Sequence, residues 1–180
     1  YAVKGRTGID GLGLNQFSRR YIYHLLARLT EATEIGAGRT ETFDRLVDRT
    51  LKNPFDIEHI WADDYEIVKD QFSTEQEFQD WRNHVASLLL LPADVNRSLQ
   101  DKPFPLKRVH YAKQNFFAAS LDSSVYEHQP QFQQFSTKYE LSFKFAEVFD
   151  KAEQQVRRKL IAGLVELIWS PNRLCEAAHV

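Results

Sequence analysis

Asn53-Pro54 interrupts the helical periodicity of this chain, and the six residues behind it constrain the rest. Asp56-Ile57-Glu58-His59-Ile60-Trp61 is an apolar, β-prone frame carrying two carboxylates and an imidazole. The residue before a proline disfavours the α region, so the preceding helix must stop and an extended run can begin. Alternate side chains of a strand point to opposite faces. Glu58 and His59 therefore face opposite ways unless the strand end twists or bulges. Both can serve one site only at a strand terminus, with Trp61-Ala62 beginning the departure. Ile57 and Ile60 read as buried anchors.

A second apolar run, Leu88 to Leu91, is closed by Pro92. It is too short for an independent helix and is expected to be a buried strand, antiparallel to residues 57 to 60. Pro92 suits the first turn of a short helix containing Asp94, Asn96 and Leu99. Strand, connection, strand and short helix would bring Glu58, His59, a residue near Ser87 and Asn96 together.

The remaining periodicity is helical. Phe17, Tyr21, Leu25 and Leu29 predict a helix capped by Asn15 and ended by Gly36 and Gly38. Further helices are expected over 42 to 51, within 63 to 80 (Ser73 capping, with Gln76 three residues on), and over 106 to 120, 131 to 141 and 145 to 169. His24 reads as an ordinary helix histidine. The expected class is α+β, predominantly helical. Residues 1 to 39 are a lead-in and packing helix, 40 to 170 the main domain and 171 to 180 a tail.

The chain has 180 residues, enough for one core. A net charge of −2 gives no global basic signature for nucleic acid, so any such signal must be local. It is: residues 63 to 80 carry seven carboxylates against Lys69, whereas Arg97, Lys102, Lys107, Arg108 and Lys113 face only Asp101, with aromatics interleaved. Such a basic segment beside a reactive cluster suits a phosphodiester substrate. The single cysteine, Cys175, excludes an internal disulfide and a cysteine-based zinc site, and points to a reducing, intracellular setting. No apolar run reaches the length of a membrane span, and no signal-peptide pattern opens the chain. The chain opens on Tyr1 and contains no Met, which predicts a piece of a larger protein with a partner domain N-terminal to it. The glycines from Gly5 to Gly13 form no phosphate loop, since no GK[ST] ending follows.

Hydrolysing a phosphodiester needs a base, a divalent cation and groups that hold the backbone. His59 suits the base, its ordinary pKa lying near working pH. Glu58 and Asn96 offer hard oxygens for Mg²⁺ or Mn²⁺, with Asp56 in support. Arg97, Lys102, Lys107 and Arg108 suit the backbone. The bland alternatives are an exposed strand carboxylate at Glu58 and a turn or cap role for Asn96.

The order of these motifs resembles the HNH, or His-Me finger, nucleases, and more closely the C-terminal nuclease domain of the GmrSD-type modification-dependent restriction enzymes. Glu58-His59-Ile60-Trp61-Ala62 resembles that family's Asp/Glu-His-Ile-x-Pro motif. Asn83 to Leu91 resembles its Gly-Asn-Leu-x-Leu-Leu stretch, Asn96-Arg97-Ser98-Leu99 its later asparagine, and Lys102 through Lys107 its lysine segment. The helix closing on Ile168-Trp169 resembles the family's last one. The resemblance spans roughly residues 40 to 170 and implies a small ββα-metal hairpin-helix unit embedded in a helical domain. It implies His59 as general base, Glu58 and Asn96 as metal ligands, and Ser87 in the place of an asparagine that usually orients the histidine. Ala62 replaces the motif's proline and Ala86-Ser87 its Gly-Asn; His84 lies close by. The implied function is a metal-dependent DNA endonuclease domain of a cytoplasmic restriction or phage-defence protein, partnered by an N-terminal sensing or nucleotide-hydrolysing domain or subunit. The alternatives are a catalytically impaired DNA-binding or interaction module of the same fold, and a purely structural helical domain.

Overall fold

The computed structural model describes residues 8 to 170. The anticipated tail, Cys175 and the first glycine of the lead-in lie outside them. The described chain is mostly helical around one two-stranded sheet, which is the α+β class expected. Strand β1, Phe55–His59, pairs antiparallel with β2, Leu88–Pro92, in the register Ile57↔Leu90, Glu58↔Leu89, His59↔Leu88. Leu88, Leu89, Leu90 and Leu91 are all buried, so β2 lacks a solvent face and reads as an unbroken apolar run. Pro92 ends the strand and also caps the helix over Ala93–Leu99, which packs back on the sheet.

Helix α1, Arg19–Gly36, lies against β2 through buried Ile22, Leu26 and Leu29. Its hydrogen-bond ladder begins at the Asn15 carbonyl, and the Asn15 side chain accepts from the Phe17 and Ser18 amides. It ends at Gly36, and Gly38 takes a left-handed φ of 80°.

Helix α2 is shorter than expected, Phe43–Val47, because the Asp48 carboxylate accepts from the Thr50 amide and draws the chain into a turn. The acidic stretch divides into α3, Tyr65–Val68, a 3-10 turn and α4, Glu75–Arg82. The box that starts α4 sits one residue later than predicted. The Thr74 hydroxyl accepts from the Glu77 amide, and the Glu77 carboxylate accepts from the Ser73 amide.

With Ala93–Leu99 as α5, the expected single helix over 106 to 120 is two, α6 over Phe104–Tyr111 and α7 over Phe116–Ala119. Asn115 makes the break: its carbonyl oxygen caps α7 and its amide donates to the Leu90 carbonyl of β2. Helix α8 spans Pro130–Lys138. The last helix, α9, runs over Lys151–Trp169, later than its apolar period suggests, because Asp150 caps it through the Glu153 amide. The segment before it instead inserts Phe149, whose ring lies 4.9 Å from Trp61 and whose carbonyl accepts from the Trp61 indole at 2.8 Å. No helix among the described residues is long and apolar enough to cross a membrane.

Leu90→Ala is expected to lower the unfolding free energy by roughly 2–5 kcal/mol, the range for truncating a buried leucine. A fall in the urea midpoint of well under 1 kcal/mol equivalent would show that β2 is not the spine of the core.

Candidate functional site

His59 is the last residue of β1, and Glu58 precedes it with its side chain on the other face. Their environments differ accordingly. Glu58 is 3% exposed, whereas His59 is half-buried at the edge of the sheet.

The Glu58 carboxylate looks into the core. Its Oε1 accepts from the Lys107 ammonium at 2.9 Å and from the Tyr111 hydroxyl at 2.7 Å. Lys107 Nζ also donates to the His59 carbonyl at 2.7 Å. Phe104, Lys107 and Tyr111 share the buried face of α6, at the spacing that puts residues three and four apart side by side. Burial pushes the Glu58 carboxyl up and the Lys107 ammonium down, and each is the other's main opposing charge. Burial and the adjacent carboxylate drive the Tyr111 phenol well above its ordinary range.

The imidazole is held from the connection between the strands. His59 Nε2 lies 3.0 Å from Asn83 Oδ1, and an amide oxygen accepts, so Nε2 carries the proton. Nδ1 is then the basic nitrogen, and no group among the described residues hydrogen-bonds it. Burial first, and the Arg82 guanidinium second, push the imidazole pKa down to about 4. The ring is thus neutral at physiological pH. Arg82 itself is anchored by the Trp61 carbonyl at 3.3 Å and lies 3.7 Å from Asp63.

Asn83 and Arg82, at the end of α4, are the two residues that sequence reasoning misses. The legible signal is their place in the connection, just before the turn that leads into β2. Ser87, expected near the imidazole, turns away from it. Its hydroxyl donates to the Trp81 carbonyl at 2.8 Å and accepts from Gln154 of α9 at 3.0 Å, while its carbonyl accepts from the Ile60 amide. Arg157, one helical turn beyond Gln154, donates to the Ala86 carbonyl at 2.9 Å. Asn96 reaches β1, donating its amide to the Ile57 carbonyl at 3.2 Å. His84 is buried and caps the Val85–Ser87 turn, its Nδ1 accepting from the Ala86 amide.

The anticipated metal donors do not converge with His59. Glu58 is occupied by Lys107 and Tyr111, Asp56 stands between Arg19 at 3.7 Å and Arg49 at 3.9 Å, and Asn96 is turned to backbone. No group of three His, Cys, Asp or Glu among the described residues is placed to hold a metal ion. This arrangement of donors does not fit a hard divalent cation, which needs several free oxygens. The anticipated phosphate-binding set divides as well. Lys107 is 1% exposed, and Arg108 is spent on Asp122, Glu147 and the Ala146 carbonyl. Lys102 is half-buried without an ion pair among the described residues, and Arg97 donates to the Ala93 carbonyl one turn back.

Breaking a buried pair costs more than deleting it. Glu58→Gln is expected to lower stability by roughly 3–5 kcal/mol, because it leaves the Lys107 charge uncompensated. Glu58→Leu combined with Lys107→Met is expected to lower it by less than the single change, as read in urea unfolding. A double variant less stable than Glu58→Gln would show that the pair is not a coupled unit.

Neither a curated protein nor a solved structure matches this chain. A family model does match, over residues 13 to 158, and it takes in both strands, the helix that follows them, Asn83, Lys107 and the first part of α9. On that match, across most of its length, the chain belongs to the family described as GmrSD restriction endonucleases, C-terminal domain.

Proposed function

We propose that this chain is the DNA-cleaving domain of a restriction-type protein and that His59 is its general base, on an HNH-like hairpin-helix unit formed by β1, β2 and α5. The observation that carries this reading is the imidazole itself. It is neutral, half-buried, fixed in one tautomer by Asn83, and leaves Nδ1 without a protein partner among the described residues. A general base needs a defined basic nitrogen within reach of a water or hydroxyl, and an orienting partner on the other nitrogen. Nδ1 of His59 would take the proton from the attacking water. Arg82, beside it, would face the negative charge that grows on the phosphate. Asn83 positions the ring, and Lys107 holds the backbone that carries it.

The nearest rival is a module that keeps the fold and binds without turnover. Glu58, sealed by Lys107 and Tyr111, favours that rival, because the family's expected cation chemistry would lose its principal carboxylate. The two readings part in a plasmid-nicking assay run with Mg²⁺, with Mn²⁺ and with chelator, on plain and modified DNA. The nuclease reading expects cleavage that His59→Ala reduces at least ~100-fold, the scale of a lost general base. Cleavage indifferent to that change, or no cleavage under any of these conditions, favours the binding module.

The depressed imidazole pKa adds a pH signature. A base must be unprotonated to work, and the folded ring stays so down to about 4, not 6.5. The acid limb of the cleavage rate is therefore expected near pH 4. Arg82→Ala removes a lowering influence and is expected to move that limb upward. A wild-type limb at the ordinary histidine value would remove His59 from the role.

A further inference from the structure

A cleft of about 520 Å³ opens beside β1, between the start of α1 and the segment after α2. Its lining includes Arg19, Arg20, Arg49, Tyr23, His24 and Asp56, so three guanidinium groups face one carboxylate. That excess stands out on a chain whose net charge is −2.

The three arginines are not equivalent. Arg49 is fixed: its Nη1 donates to the Phe55 carbonyl and to the Tyr23 hydroxyl at 3.3 Å. Arg19 is mostly exposed and touches only Asp56, at 3.7 Å. Arg20 is exposed and has no ion pair or side-chain hydrogen bond among the described residues. Asp56 lies almost equidistant from Arg19 and Arg49, too far from either for a close hydrogen bond, so it orients them without neutralising both.

Two large aromatics adjoin in sequence the residues that line this cleft without lining it themselves: Phe17, in the turn before α1, is 80% exposed, and Tyr21, in the first turn of α1 next to Arg20, is 73% exposed. Exposed rings beside guanidinium groups are the arrangement that holds nucleic-acid strands: the charges take the phosphates and the rings take bases. Asp56 lies on β1 three residues from His59, about 10 Å at the rise of a strand, and by strand alternation its side chain leaves from the other face.

We propose that this cleft binds the phosphodiester backbone of DNA, with Arg19 and Arg20 as the phosphate contacts and Phe17 and Tyr21 as stacking surfaces. The inference rests on the reading that the substrate is DNA, and it replaces Lys107 and Arg108 as the main electrostatic hold. It assigns the grip to the N-terminal helix rather than to the basic segment over 97 to 113.

Binding is best measured apart from cleavage. Fluorescence anisotropy of a labelled DNA oligonucleotide, single-stranded and duplex, would be recorded with His59→Ala protein in chelator across a range of salt. Adding Arg19→Ala and Arg20→Ala is expected to weaken binding at least ~10-fold at low salt. It should also reduce the slope of log K against log salt by about 1.4 to 1.8, the value for two lost phosphate contacts. Phe17→Ala with Tyr21→Ala is expected to weaken the single strand more than the duplex, with little change in slope. Both arginines are exposed, so the melting temperature should not move. Lys138→Ala, on α8, controls for removing a surface cation elsewhere. Unchanged affinity and slope in the arginine variant, an equal loss in Lys138→Ala, or no DNA binding by the parent would each overturn the assignment. Loss of binding in the arginine variant upholds it even where no DNA is cut, so failure of the nuclease reading stays distinguishable.

Discussion

The geometry of this domain depends on one buried ion pair. Lys107 and Glu58 meet at 2.9 Å in a core from which water is excluded, and neither charge has another compensating charge as close. Taking two charges out of water is costly, and the cost is offset only when the geometry satisfies them. Here Tyr111 adds a donor to the carboxylate and the His59 carbonyl accepts from the ammonium. The pair fixes more than itself. It ties α6 to the last two residues of β1, so the strand end that carries the imidazole is held from the core side while Asn83 holds the ring from the other.

That division follows from the two-residue period of a strand, and it is legible in the amino-acid sequence alone. Adjacent residues of β1 must face opposite ways, so Glu58 and His59 part company unless the strand ends in a bulge. What the sequence does not show is the partner on the inner face. Lys107 counts as one charge of a basic run, yet it sits between Phe104 and Tyr111 at three- and four-residue spacing, on the apolar stripe of α6. A lysine in that stripe can be a solvated stem or a buried partner, and only the position of Glu58 decides between them. The two strands, their pairing and the helix after them are legible because apolar period and proline breaks specify them strongly. The ends of α2, α6 and α9 are not, because Asp48, Asn115 and Asp150 each offer the backbone a side-chain acceptor that competes with helix.

The connection between the strands is held by contacts to α9. Ala86-Ser87 stands where the family resemblance expects Gly-Asn, and a serine is too short to span to the imidazole. In this chain the hydroxyl is engaged by Gln154 and the Ala86 carbonyl by Arg157, both from α9. The connection is thereby stapled to the last helix, some 70 residues away in sequence. Asn83, earlier in the same connection, supplies an amide to His59 instead. In this chain Asn83 is the side chain of the connection that reaches the edge of β1.

Electrostatics then separates two surfaces of the chain. Burial above all keeps the His59 ring neutral, with Arg82 and the sealed Lys107 adding to the effect and Asp63 opposing it. A neutral base in a weakly charged edge cannot by itself draw a polyanion, since attraction to phosphates scales with the cations that displace condensed counterions. On the proposed reading the grip on DNA comes from elsewhere on the chain. Lys107 cannot provide it from the core, and Arg108 is neutralised by Asp122 and Glu147. Lys102, half-buried, and the exposed guanidinium groups at the start of α1 are left, and Arg19 among them meets Asp56 of β1. On the proposed reading, separating the charge that holds from the base that reacts has a chemical merit. A strong positive field at the imidazole would depress its basicity further and weaken it as a proton acceptor, whereas the same field about 10 Å along the strand is attenuated by solvent.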